Sequence, residues 1–133
     1  MTDTETRVMI ASESDTILAV IAVREMAGKL KMGRGATSSL ATAVSELATN
    51  IIKYAKRGKV TLRAVRRRHQ PGIEAIVEDR GPGIDDIETA MKEHTSTSGT
   101  LGLGLPGTKR LVDEFEITSE PGQGTRVRVV KWG

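Results

Sequence analysis

The sequence predicts an α+β fold, a two-layer α/β sandwich whose mixed, mostly antiparallel sheet is covered on one face by helices. Three observations carry that expectation. Two stretches in the first half repeat apolar residues at helical spacing, and two pairs of β-branched segments meet at Pro-Gly turns. The apolar residues are also nearly all aliphatic, with one Trp, one Tyr and one Phe in 133 residues. A core of Ile, Leu, Val, Met and Ala suits helices laid over a sheet. A chain of this length is expected to form one domain over 1–133, burying roughly two-thirds of its unfolded surface.

Thr6 to Ala11 predicts a first strand. Ser12 or Ser14 caps a helix running to about Lys31, with Ile17, Val20, Ile21, Val23 and Met26 as its apolar face, ended by Gly33 and Gly35. The uninterrupted apolar run from Ile17 to Val23 reads as core helix. From Ser38 to about Ala55 a second helix places Leu40, Val44, Leu47, Ile51 and Ile52 on one side, and Gly58 closes it. Lys59 to Val65 and Ile73 to Val77 read as an antiparallel pair joined around Pro71-Gly72. A short helical stretch, Asp85 to Lys92, precedes the small, polar, aperiodic segment His94 to Thr100, which reads as a mobile lid. Pro106 to Glu114 continues as helix. Phe115 to Ser119 and Thr125 to Trp132 then form a hairpin across Pro121-Gly122-Gln123-Gly124.

Composition excludes several classes. Without cysteine there are no disulfides or thiolate metal sites, and with no charged-then-apolar leader the expected location is cytoplasmic. No apolar run approaches the roughly 18 residues of a membrane span, so no membrane partner is expected. The net charge is +3 and Arg66-Arg67-Arg68-His69 is a compact basic run. It lies where two extended segments meet and reads first as a solvated hairpin end, next as a surface for an acidic protein, and last as a nucleic-acid site.

Three short motifs carry the chemistry. Glu46 and Asn50 are four apart on a helix and share a face, with Lys53 about one turn further on. A carboxylate can take a proton from a hydroxyl or water, an amide oxygen can ligate magnesium, and a lysine can pair with a phosphate. Each is an ordinary surface residue taken alone. Asp79 ends an apolar strand and enters a turn with Gly81 and Gly83, where the backbone can approach a flat ligand and a carboxylate can accept the exocyclic amine of adenine. Asp-x-Gly-x-Gly is also common turn chemistry. Gly102 to Gly107 satisfies Gly-x-Gly-x-x-Gly, yet it follows a polar segment and no β-α-β unit surrounds it. Free amides for phosphate at a helix N-terminus suit it better than a dinucleotide fingerprint.

Together these motifs resemble the ATP-binding domain shared by DNA gyrase, heat-shock chaperones, sensor histidine kinases and mismatch-repair ATPases, the Bergerat fold. Ser45-Glu46-Leu47-Ala48-Thr49-Asn50 resembles its N box, Asp79 to Gly83 its first glycine box and Gly102 to Gly104 its second. Gly124-Thr125 resembles the place where the family sets a threonine beside the adenine-reading aspartate. The small size, the stretch Ser96 to Gly107 and the runs Leu111 to Phe115 and Val129 to Trp132 look most like the anti-sigma-factor type serine/threonine kinases, in particular the switch kinases of stressosomes. The chain departs from autophosphorylating relatives, whose acceptor histidine sits in a separate helical region, because His69 and His94 both fall in predicted loops.

The resemblance implies ATP and Mg2+ as cofactors, with adenine on Asp79 and Thr125, magnesium on Asn50 and phosphates on the amides of Gly102 to Gly104. It places Lys53, Gly81, Gly83, Ile84, Thr97, Ser98, Gly99, Leu101 and Leu103 among the ATP-contacting positions as well. Glu46 is then the catalytic base toward a serine or threonine of a partner. The implied substrates are STAS-domain antagonist or scaffold proteins, and the implied second target is a downstream phosphatase or other output protein. A rival implication is an anti-sigma factor or nucleotide-dependent module that sequesters its partner without phosphotransfer.

Overall fold

The computed structural model describes residues 5–81 and 105–133. The chain begins with strand β1 (Glu5–Ile10), helix α1 (Glu13–Lys29) and helix α2 (Arg34–Asn50). A π-helical turn (Ile51–Ala55) follows directly, then β2 (Gly58–Arg67), β3 (Gln70–Asp79), α3 (Leu105–Leu111), β4 (Glu114–Glu120) and β5 (Gly124–Trp132). The strands form one sheet in the order β1-β2-β3-β5-β4, and every pairing among the described residues is antiparallel. The expected α+β architecture is the one observed.

Alternation along the strands makes one face apolar and the other charged. Val60, Leu62, Ile73, Ala75, Val77, Val127 and Val129 point inward and join Leu40, Val44, Leu47 and Ile51 of the helices in a single buried cluster. The opposite face carries ion pairs. Glu74, only 4% exposed, is held by Arg63 at 2.8 Å and Arg128 at 2.6 Å, and Arg128 also reaches Glu114 and Glu116 at 3.3 Å. The hydrogen bond to Glu74 is the main reason that the Arg128 pKa is raised above its ordinary value, so this guanidinium stays charged throughout the working pH range.

Several expectations change in detail. β1 ends one residue early because Ala11 and Ser12 turn their N–H groups onto the Asp15 carboxylate at 2.9 and 3.2 Å, capping α1. Ile17, Leu18 and Ile21 are exposed, so only part of the expected apolar face packs inward: Val23 is buried, and Val20 and Met26 lie against the core. The buried line of α1 is Thr16, Ala19, Val23 and Ala27, whose small side chains let the helix sit close to its neighbours. Gly33 caps α2, with Thr37 N–H bonded to its carbonyl, so that helix starts a turn before Ser38 and contains Gly35.

Pro71-Gly72 is not the β2–β3 turn. Both residues lie within the ladder, opposite Arg66 and Val65, and the chain reverses at Arg68-His69, with Arg68 at φ 54°. Gly72 is required there because a Cβ would come within 2.5 Å of the Trp132 ring. α3 stops at Leu111, where Asp113 N–H joins the Val130 carbonyl and begins the last hairpin. The helix expected over 85–92 and the lid expected over 94–101 lie outside the described residues. No helix among the described residues is long and apolar enough to cross a membrane.

Candidate functional site

β3 delivers Asp79 to the end of the sheet, opposite Gly58 on β2. Its Oδ1 accepts the N–H of Gly81 at 2.8 Å and the N–H of Thr125 at 3.3 Å. Two backbone donors thus fix the carboxylate, and Oδ2 has no protein partner among the described residues. Gly124 makes that approach possible. At φ 98° it occupies the left-handed region, and a Cβ there would collide with the Asp79 carbonyl and stand 2.8 Å from Arg80 Cα. The Thr125 hydroxyl lies 2.8 Å from that of Ser119, which also donates to the Gly124 carbonyl at 3.1 Å.

A cavity of about 1180 Å³ opens here, with Asp79, Arg80, Gly124, Thr125, Ala55 and Lys56 among its lining residues. The volume is above the roughly 300–1,000 Å³ common for small-molecule pockets.

The second group of residues stands on α2 and its continuation. Glu46 is exposed, Asn50 half-buried at the last α-helical position, and Lys53 exposed on the π turn. They do not line the cavity that Asp79 lines. The expected unbroken α-helix through Ala55 is replaced by wider i→i+5 winding, closed by Lys56 N–H on the Ile51 carbonyl at 2.7 Å. Burial of Ile51 at 1% exposure anchors this turn. It rotates Lys53 away from the position that uniform helical spacing gives it. Lys56 leaves the turn at φ 72°, ψ −37°, a conformation strained for a side chain with a Cβ.

The two groups are joined by a close contact. A Cβ on Gly81 would stand 2.5 Å from the Ala55 Cβ, so the glycine turn is seated directly on the π turn. Gly83, Ile84, Thr97, Ser98, Gly99, Leu101, Gly102, Leu103 and Gly104 fall outside the described residues. Ser119 and Ala55 were missed by the sequence reading. Ser119 had a signal, since it faces Thr125 across the last hairpin; Ala55 had none.

The donor set fits ATP with magnesium. Asp79 lines the cavity with a carboxylate oxygen that has no protein partner among the described residues, and Asn50 carries a neutral oxygen. No cluster of three metal-ligating side chains occurs among the described residues.

Comparison with known proteins identifies the family. Residues 11–131 match the histidine kinase-like ATPase domain. The chain is 44% identical over 125 residues to Serine/threonine-protein kinase RsbT of Bacillus subtilis (strain 168), covering 94% of each. It is 39% identical over 101 residues to Anti-sigma F factor of Caldanaerobacter subterraneus subsp. tengcongensis, covering 71% of this chain and 69% of that protein. Among solved structures, the histidine kinase domain from Erythrobacter litoralis EL346 blue-light activated histidine kinase shares the fold, with a TM-score of 0.51 at 21% identity, over 90% of this chain and 59% of that one. The chain belongs to the histidine kinase-like ATPase domain family and is a relative of RsbT within it.

Proposed function

We propose that residues 1–133 form a single ATP-dependent serine/threonine protein kinase domain of a cytoplasmic partner-switching pathway. Its substrates are STAS-domain antagonist or scaffold proteins. Once released from them, it binds and activates a downstream phosphatase or other output protein. The observation that carries the reading is Asp79, fixed by two backbone amides beside a cavity with one oxygen left over, on a chain 44% identical to RsbT.

In this reading Asp79 Oδ2 accepts the adenine amine, Thr125 closes the same edge, and Gly81, seated on Ala55 and donating to Oδ1, holds the Asp79 turn in place. Asn50 would hold magnesium, which when bound offsets charge on the phosphates. Lys53 pairs with a phosphate from the rim. The partner's hydroxyl oxygen bonds to the γ-phosphorus as the bond to the β,γ-bridging oxygen breaks. Glu46 receives the hydroxyl proton and ADP departs, a general-base contribution of about 10²- to 10⁴-fold in rate.

The test is incubation of the purified protein with labelled ATP, magnesium and STAS-domain proteins of the same genome. Glu46→Ala is expected to keep magnesium-dependent ATP binding and the complex with the STAS partner while losing most phosphotransfer. Asn50→Ala is expected to weaken the magnesium-dependent part of binding itself. Unchanged phosphotransfer by folded Glu46→Ala protein would falsify the base assignment. The similarity to Anti-sigma F factor favours a second reading, sequestration of a sigma factor under nucleotide control. A complex formed with no transfer to any partner supports that one.

A further inference from the structure

The end of the sheet remote from the cavity gathers positive charge from two parts of the chain that the sequence keeps apart. The α1–α2 turn supplies Lys29, Lys31 and Arg34, and the tip of the β2–β3 hairpin supplies Arg66, Arg67 and Arg68. Gly133 joins them. Its carbonyl accepts Gly33 N–H at 3.3 Å and its own N–H donates to the Pro71 carbonyl at 2.9 Å. The nine-residue rise from Asp79 back to Gln70 puts this pole about 30 Å from the nucleotide end.

No carboxylate occurs between Met26 and Ser45 or between Arg57 and Ile73. All six cations are exposed, and none makes an ion pair among the described residues. Asp113, at the start of β4, is taken up by Lys131 at 3.7 Å and by the Trp132 N–H at 2.7 Å. The fold therefore brings like charges together through a backbone bridge, with no side-chain carboxylate paired to any of the six among the described residues, an arrangement that an anionic ligand relieves.

We propose that this pole docks an acidic segment of a protein partner. Its side-chain chemistry favours carboxylates over other polyanions. Four of the six cations are arginines, whose planar forks match carboxylates and phosphates alike, so the choice falls to what surrounds them. Single-stranded nucleic acid is gripped by stacking on exposed rings; here one face of the Trp132 indole is covered by Arg67 at 4.6 Å, which leaves the single imidazole of His69 at the hairpin tip. An anionic membrane calls for an apolar anchor beside the basic residues. The exposed large apolar residues Met9, Ile17, Leu18, Ile21 and Tyr54 belong to neither segment. The proposal does not rest on the nucleotide reading.

The experiment is a titration of the full chain, at physiological salt, with a fluorescein-labelled oligoglutamate peptide, with oligothymidylate, and with phosphatidylglycerol vesicles. The peptide is expected to bind most tightly and to be released by salt. Lys31→Glu with Arg34→Glu, and separately Arg66→Glu with Arg68→Glu, are each expected to weaken it about tenfold. Lys56→Glu with Arg57→Glu makes the same change in net charge at the other end of the sheet and is expected to alter binding by less than about twofold. Glutamine at the same positions repeats the comparison should a glutamate variant fail to fold. Equal loss in the Lys56 and Arg57 control, no loss on changing the α1–α2 turn, or tighter binding of oligothymidylate or vesicles overturns the proposal.

Discussion

At Asp79 a single side chain has two tasks. Oδ1 ties Gly81 and Thr125 together, and Oδ2 is the proposed acceptor for the adenine amine. Asp79→Asn is therefore expected to abolish detectable ATP binding in calorimetric titration, since a hydrogen bond to a charged acceptor is worth roughly 1.5–3 kcal/mol. Binding equal to the parent's sinks the adenine assignment. Gly124→Ala tests the neighbouring requirement. Positive φ and collision with the Asp79 carbonyl are expected to destabilise the fold by about 1–3 kcal/mol, read from the urea midpoint. Asp79 and the glycines were legible in the sequence because their residue types are dictated by a turn that the chain spells out locally. Ser119 and Ala55 were not, because a hydroxyl and a methyl acquire meaning only from what the fold sets against them.

Elements were legible where one period dominates. α2 shows its apolar stripe plainly, and the β4–β5 hairpin announces its turn. α1 misleads because its bulkiest residues face outward while Ala19 and Ala27 pack inward, so hydrophobicity and burial point in different directions. Pro71-Gly72 misleads for the opposite reason, since a ring from the far end of the chain claims the space over Gly72. The π turn has no sequence signature and follows from burying Ile51 while Lys56 closes on its carbonyl. The strain at Lys56 makes a prediction at this scale. Lys56→Gly is expected to raise stability by about 1 kcal/mol, because glycine adopts positive φ without a clashing Cβ. A lowered denaturation midpoint in that variant contradicts the strain.

Over the whole molecule, the charged sheet face is held together by ion pairs. Glu74→Gln leaves Arg63 without its charged partner and Arg128 with only the looser contacts to Glu114 and Glu116, at a position only 4% exposed, and is expected to cost about 2 kcal/mol in urea unfolding. A change within about 0.5 kcal/mol marks that network as energetically neutral. The overall architecture was legible because element order and patterning suffice to define two layers. Which segments meet at the far pole was not, since the bridge through Gly133 is a product of tertiary closure.

The seating of Gly81 on Ala55 has a thermodynamic corollary. That contact joins the helix carrying Glu46 and Asn50 to the turn that follows Asp79, so whatever settles the turn also biases the helix end. Linkage then runs equally in both directions: if filling the base pocket tightens the hold on a cation at Asn50 by some factor, the cation tightens the hold on the base by the same factor. Enlarging Ala55 is expected to diminish both together, while a change at either pocket alone leaves the exchange between them intact.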